Sequence, residues 1–515
     1  MATGARPYRG NAARQEVAKP ASRANNALIV IAGGLFTIAL ALMLLMLASA
    51  QPGVVFGPDQ ATRLLAFEMI AVSLLLALTS AGARIRLTLQ MILTYLAVYL
   101  ILPGYHHSSK NIYPFYSLSY EHDIRLTAAT IISVFLAALI VGYLVGDQTG
   151  IRKQAQKTLR REIIFPSLPL LMAFTAAAMI AMVVYVAKVG LGSAFATRAT
   201  FGSVGSILEF GVFVTAPRLV TFVAFAYAYV LFMRSRKAGL GLYYMLANLV
   251  PFFVTNFPLV LARYVLFGIV LFILVQTFDF KSARSRVVLT VAFVFGALFA
   301  MPYAESLTRS IGKQTADQIS EAYDAYLASP DFDGLQSIQN AVIYTDRAGY
   351  MDGMQLLSVA LFFVPREIWT EKSVATGELT SRASNYPFHN ISQPLPSEFY
   401  VDFGMTGMAI VTLIFGFLIA RLDGWINAYW DAGPRARLIA GIVVAYTIIL
   451  MRGALLAIIS SVVFFSAGIF LIMFVGLVKA ERLRVRRRPR VEGMSEPSPR
   501  VARHARAVAE NPIES

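Results

Sequence analysis

The chain of 515 residues contains no cysteine, so neither a disulfide framework nor a thiolate metal site is open to it. Charge is scarce too. Asp, Glu, Lys and Arg make up 14% of residues against 57% hydrophobic ones, which excludes an ordinary soluble globular domain. Acidic residues are the scarcer sign, 29 against 45 basic, leaving +16 at neutral pH. No internal repeat relates the two halves, which speaks against transporter folds built by duplication. No cleavable signal peptide is visible, because the apolar run after the polar, basic start is long enough to span a bilayer.

What is present is a series of long apolar runs. A span needs roughly 20 apolar residues. Twelve segments qualify, centred on 27–50, 61–80, 87–103, 125–147, 164–187, 207–233, 239–255, 258–277, 287–303, 398–420, 438–453 and 455–478. The expected fold is therefore an all-α polytopic integral membrane protein with about 12 transmembrane helices. Asn256-Phe257-Pro258 is expected to be a tight turn between two of them. With the N-terminus inside, the cytoplasmic pieces are 1–26, 81–86, 148–163, 234–238, 278–286, 421–437 and 479–515, and they hold 31 of the 45 Lys and Arg residues. That asymmetry predicts both termini on the cytoplasmic side. It also reads the basic excess as a topology signal and an attraction to anionic membrane lipids, with no nucleic-acid partner.

Three regions do not span. The cytoplasmic ends 1–26 and 479–515 are basic and poor in apolar residues, and disorder is expected there. The stretch 304–397 becomes one large extracytoplasmic loop, with eleven acidic and six basic residues. Within it, residues 305–328 and 335–349 show amphipathic helical spacing, and the short apolar run 353–365 is expected to lie in the interface or re-enter.

Arg218, Arg263 and Arg452 sit in or at the mouths of apolar runs, where a charge is costly unless it faces a protein-lined cavity holding something negative. Arg198, Arg366 and Lys372 join them at the outer face in this topology. Guanidinium forks suit phosphate and pyrophosphate, since each binds two oxygens and stays charged when buried. The bland alternative is snorkelling, or an ion pair with Glu68 or Glu209. Acid–base candidates in the same place are Glu378, His389, Glu398 and Asp402. Glu398 and Asp402 are four apart at the outer end of one helix, hence on one face, and complementing that helix's dipole would explain them equally well. Asp331-Phe332-Asp333 matches the DxD of metal-dependent glycosyltransferases, but between Pro330 and Gly334 a turn and helix cap account for it. No carboxylate pair occupies the first outer loop, so no metal and no cofactor is expected. Gly142 and Gly146 form a GxxxG, which by itself signals only close packing.

Val364-Pro365-Arg366 with Trp369 and Lys372, then Glu398, Tyr400, Phe403, Gly404 and Gly407, resembles the pattern of the bacterial oligosaccharide repeat-unit polymerases, the O-antigen polymerase (Wzy-type) group. Arg452-Gly453 near the end of the penultimate span is similar to that family's pattern as well, while Ser373 stands where the family would have Pro. The motif-bearing part covers about sixty residues. The resemblance implies a metal-independent membrane glycosyltransferase of the GT-C type, acting at the outer side of the bacterial cytoplasmic (inner) membrane. Its substrate would be an undecaprenyl-pyrophosphate-linked oligosaccharide, and a chain-length regulator (polysaccharide co-polymerase) could assist it. Arg198, Arg218, Arg263, Arg366, Lys372 and Arg452 would bind pyrophosphate, and Glu398, His389 or Asp402 would take the acceptor proton. A glycan ligase of similar fold, or a flippase for the same lipid-linked sugars, are the rival classes.

Overall fold

The computed structural model describes residues 59–115, 120–148, 160–164, 168–196, 211–234, 238–261, 263–300, 324–389, 391–431, 434–475 and 478–482. In chain order the apolar helices are α1 (Gln60–Ala81), α2 (Leu87–Lys110), α3 (His122–Gln148), α4 (Leu168–Val189), α5 (Ala216–Arg234), α6 (Ala238–Thr255), α7 (Arg263–Thr277) and α8 (Ala283–Phe295). After the shorter helices α9 (Gly334–Ala348), α10 (Met354–Ala360) and α11 (Thr376–Ala383) come α12 (Leu395–Tyr429), α13 (Pro434–Arg452) and α14 (Leu455–Val475). All the expected spans except the first thus fall on helices, and the first, 27–50, lies outside the described residues. Seven of the helices are long and apolar enough to cross a membrane: α1 to α5, α12 and α13. Helices α6, α7 and α14 are apolar but their qualifying stretches are shorter. The turn expected at Asn256-Phe257-Pro258 separates α6 from α7.

Two short strands add to this helical body. β1 (Arg160–Ile164) pairs antiparallel with β2 (Val478–Arg482). Residues 479–482, at the start of the tail where disorder is expected, therefore join a ladder.

Polar contacts sort the helix ends into two faces. On one face Asp59 pairs with Arg125 at 2.7 Å, and Asp324 receives His106 at 2.9 Å and Lys110 at 2.7 Å. Against the cost of burial, Lys110 and His106 hold the Asp324 carboxyl below the usual range. On the other face Arg84 and Arg86 grip Asp147 at 2.6 and 3.0 Å, and Arg437 lies 3.7 Å from Asp279. There Asp423 accepts from the main-chain N–H groups of Thr88 and Leu89, satisfying donors that the first turn of α2 leaves open. Arg286, only 1% exposed, donates to the carbonyls of Ser80, Gly82, Phe280 and Lys281. A guanidinium can therefore be held at the edge of an apolar body by carbonyls alone.

Glycines set the closest helix contact. A Cβ at Gly142 would sit 2.0 Å from the Leu413 carbonyl oxygen, one at Gly146 would sit 2.7 Å from that of Phe417, and one at Gly416 2.3 Å from that of Leu139. The GxxxG of α3 thus meets a reciprocal glycine on α12, and the two backbones touch. A larger apolar cluster packs α1, α2, α3, α8, α12 and α13 together. A second joins α4, α5, α7, α13 and α14.

Three π-helical turns occur among the described residues: Leu96–Ile101 within α2, Gly211–Thr215 before α5 and Gly296–Ala300 after α8. Such turns are rare and shift a helix's hydrogen-bond register, which frees carbonyls. One is used: the Tyr326 hydroxyl donates to the Ala297 carbonyl at 2.8 Å.

Candidate functional site

The residues 324–399 form a folded module on the face that carries Asp59, Lys110 and Arg452. Its central element is α9, whose expected amphipathic helix is present at Gly334–Ala348. The earlier expected helix, 305–328, lies mostly outside the described residues. The run 353–365 gives only the short α10 followed by turns. The polar stretch after it, expected to be irregular, contains α11.

The two carboxylates predicted on one face of α12 are indeed there, but each caps another helix. Glu398, 2% exposed, accepts the Leu455 N–H at the start of α14 at 2.8 Å and the Thr376 hydroxyl at the start of α11 at 2.5 Å. Asp402, fully buried, accepts the N–H groups of Gln355 and Leu356 at the start of α10, both at 2.9 Å. Each carboxylate thus satisfies an orphan helix N-terminus, and its charge complements the positive end of that helix dipole. Two residues further on, Gly404 adopts φ +64° and ψ −172°, a backbone region closed to other residues. It breaks α12, and the Tyr350 ring lies where a Cβ would be, 2.9 Å away. The Phe403-Gly404 part of the motif is therefore a kink, and Gly407, whose Cβ would meet that of Phe403 at 2.3 Å, lets the helix resume.

Arg366 and Lys372 fold their own loop. Arg366 donates to the carbonyls of Lys372 and Ser373, and Lys372 Nζ donates to those of Leu361, Phe362 and Val364 at 3.2, 2.8 and 2.8 Å. Three carbonyls match the three donors of an ammonium. Burial lowers the Lys372 pKa, and the Arg366 charge adds to that. The hairpin they brace projects Phe363 and Ile368 outward, at 67% and 78% exposure.

Arg452 ends α13 beneath the module. It donates to the Pro330 carbonyl at 2.9 Å and lies 3.8 Å from both Asp331 and Asp333. Asp333 was expected to be a helix cap. It occupies the N-cap position of α9, but its side chain makes no capping bond and instead takes the Ser392 hydroxyl and N–H. Burial pushes its carboxyl upward, while Arg452 and Ser392 pull it back. Beside this group Tyr95, Tyr99 and Phe332 stack, with centroids 5.8 and 5.5 Å apart. The sequence reading missed that Arg452 and the Asp-Phe-Asp turn are partners. Only a pairing of positions more than a hundred residues apart could have revealed it.

Arg218 stands apart from the module, near the α6 end, donating to the Thr255 carbonyl at 3.0 Å and the Tyr185 hydroxyl at 3.3 Å, with its guanidinium over the Tyr185 ring at 5.7 Å. Arg263 is the first residue of α7, just past the turn that follows Thr255. Arg198 and Glu209 lie outside the described residues. Glu68 takes the Ser133 hydroxyl and pairs with no arginine in the described contacts. His389 is exposed, with Nδ1 3.2 Å from the Ser381 hydroxyl oxygen, and Glu378 pairs with Arg382 one turn along α11.

Among the described residues no group of three or more His, Asp or Glu side chains converges as a metal site would require. No family model, no curated protein and no solved structure matches this chain.

Proposed function

We propose that the protein polymerises undecaprenyl-pyrophosphate-linked oligosaccharide repeat units on the outer face of the bacterial cytoplasmic membrane, through twelve spans with both termini inside. The reading is supported most by one observation. A polar, aromatic module is docked on the ends of the apolar helices at the face opposite the arginine-rich turns, and it is tied there by Glu398, Asp402 and Arg452. A glycan at a membrane surface needs such a platform, because its hydroxyls cannot enter hydrocarbon and its lipid carrier cannot leave it.

In this reading the acceptor hydroxyl oxygen attacks the anomeric carbon of the growing chain. The bond from that carbon to the pyrophosphate oxygen breaks, and undecaprenyl pyrophosphate leaves with the electron pair. Arg218 and Arg263 are assigned to the pyrophosphate, where donors aimed at developing charge lower the barrier. The Thr255 and Tyr185 contacts would hold the Arg218 fork ready, so less ordering is needed on binding. Arg198 remains in the assigned set from its sequence position alone. His389 is the exposed candidate for the acceptor proton, since both oxygens of Glu398 and of Asp402 are engaged by other groups. Arg366, Lys372 and Arg452 are assigned to shaping the module around the substrate.

The test is a deletion strain complemented with variants, read as surface glycan on gels. Single capped repeat units in the deletion strain support a polymerase. Lipid-linked polymer left uncapped would indicate a ligase, and loss of all outer glycan a flippase. Arg218→Ala and Arg263→Ala are expected to abolish polymer at normal protein abundance. Arg→Lys should remain poor, because an ammonium lacks the bidentate fork. Full-length polymer from well-expressed Ala variants would remove the pyrophosphate assignment.

A further inference from the structure

Helix α9 carries three amide side chains at Gln336, Gln339 and Asn340, a spacing that places them on one face. Gln336 clamps the Phe115 main chain from both sides, accepting its N–H at 2.9 Å and donating to its carbonyl at 2.6 Å. Asn340 accepts the Tyr120 hydroxyl at 2.8 Å and donates to the Tyr386 hydroxyl at 3.0 Å. Gln339, between them in the row, is fully buried with neither end of its amide hydrogen-bonded. The Tyr113 hydroxyl and the Ser108 hydroxyl, both buried, have no partner either, and the Tyr113 ring packs edge-on against Tyr120 at 4.9 Å. An amide and two hydroxyls buried without partners are costly in the protein alone, so their retention needs a reason.

Above this row the same clamps hold an aromatic surface. Phe115 and Phe388 meet with centroids 5.1 Å apart, Tyr386 flanks both at 6.0 and 5.6 Å, and the exposed His389 ring stands beside them. Phe115 and Phe388 are half-buried, so part of each ring faces outward. At the rim Asn385 is exposed in the left-handed region, at φ +56°.

We propose that this patch is a carbohydrate subsite, in which one neutral sugar ring lies on Phe115 and Phe388 with its hydroxyls met by His389, Asn385 and the polar row beneath. The chemistry selects that ligand. A pyranose has one face of polarised C–H groups, which suits the negative face of an aromatic ring, and a girdle of hydroxyls, which needs donors and acceptors together. An acyl chain would leave the amide and hydroxyls unserved, and a phosphate would find no cation there among the named groups. Rigid clamping by Gln336 and Asn340 reduces the ordering lost on binding. The proposal rests on the reading of this face as a glycan-handling surface, and it places a sugar of the repeat unit, not the pyrophosphate, at the α9 end of the module.

The experiment uses full-length protein in nanodiscs and saturation-transfer NMR with the methyl glycosides of glucose, galactose, rhamnose and N-acetylglucosamine as probes. Transfer to the ring C–H protons of at least one probe is expected. Phe115→Ala and Phe388→Ala should each weaken that binding about three- to ten-fold, whereas Phe388→Tyr should keep it. Gln339→Leu should weaken binding yet raise the melting temperature, because it removes a buried unpartnered amide. No transfer from any probe, or equal affinity in the Phe115→Ala/Phe388→Ala double variant, would overturn the subsite. Binding needs no lipid carrier and no polymer. A deletion strain that still makes full-length polymer would therefore sink the polymerase reading while leaving this result intact.

Discussion

Replacing Glu398 separates a carboxylate that does chemistry from one that holds the module in place. Its two oxygens accept the Leu455 N–H at 2.8 Å and the Thr376 hydroxyl at 2.5 Å, and the residue is 2% exposed, so no solvent screening softens the loss. A hydrogen bond to a charged group contributes about 1.5–3 kcal/mol. Glu398→Ala should therefore cost about 3–6 kcal/mol, a large share of the roughly 5–15 kcal/mol that keeps a protein folded. Glu398→Gln behaves differently. The amide oxygen still accepts from Leu455, and the amide nitrogen donates to the Thr376 oxygen once that hydroxyl turns. Only the charge assistance is lost, about 1 kcal/mol per bond. The expected outcome is that the Ala variant is depleted from membranes and melts early, while the Gln variant folds and makes polymer at a third or more of the normal yield. Abundance by immunoblot, unfolding in detergent and polymer on gels are the three measurements. A Gln variant that is as abundant and as stable as the wild type but makes no polymer would refute the capping argument and return Glu398 to the chemistry.

At Gly142, a Leu would drive its side chain into the Leu413 carbonyl, and overpacking of this kind costs about 1–3 kcal/mol; the Gly142→Leu protein should melt earlier, and an unchanged melting temperature would deny the α3–α12 backbone contact. For topology, Thr370→Cys should react with an impermeant maleimide in spheroplasts and Ser282→Cys should not, both positions being exposed; the reversed pattern would put the module on the cytoplasmic side. Purified enzyme should keep polymerising in excess EDTA, because Asp331 and Asp333 face Arg452; activity lost to EDTA and restored by magnesium would reassign that pair as metal ligands.

The helical class and the positions of the spans were legible in the sequence because burial in hydrocarbon is a one-dimensional property: a run of apolar residues either reaches about twenty or does not. Boundaries were the weaker part. α12 extends to Tyr429, beyond the apolar window, and its break at Gly404 is visible only as a positive φ. The close glycine contact was partly legible, since Gly142-x-x-x-Gly146 announces a small-residue face, but not that Gly416 is opposite it.

The site followed a different rule. Residue type and spacing identified Glu398, Asp402, Arg366, Lys372 and Arg452 as polar side chains in costly places, and the structure finds each of them engaged there. Sequence alone could not say with what. A buried charge must be satisfied, but a helix N-terminus, a row of carbonyls, a distant carboxylate and a substrate phosphate all satisfy it. Which one does is settled by groups 57 residues away for Glu398 and Leu455, 47 for Asp402 and Gln355, and 122 for Arg452 and Pro330. Composition fixes that such groups need partners, because desolvation acts on each residue by itself. Tertiary structure decides the partners, because hydrogen bonds depend on distances that no local pattern encodes.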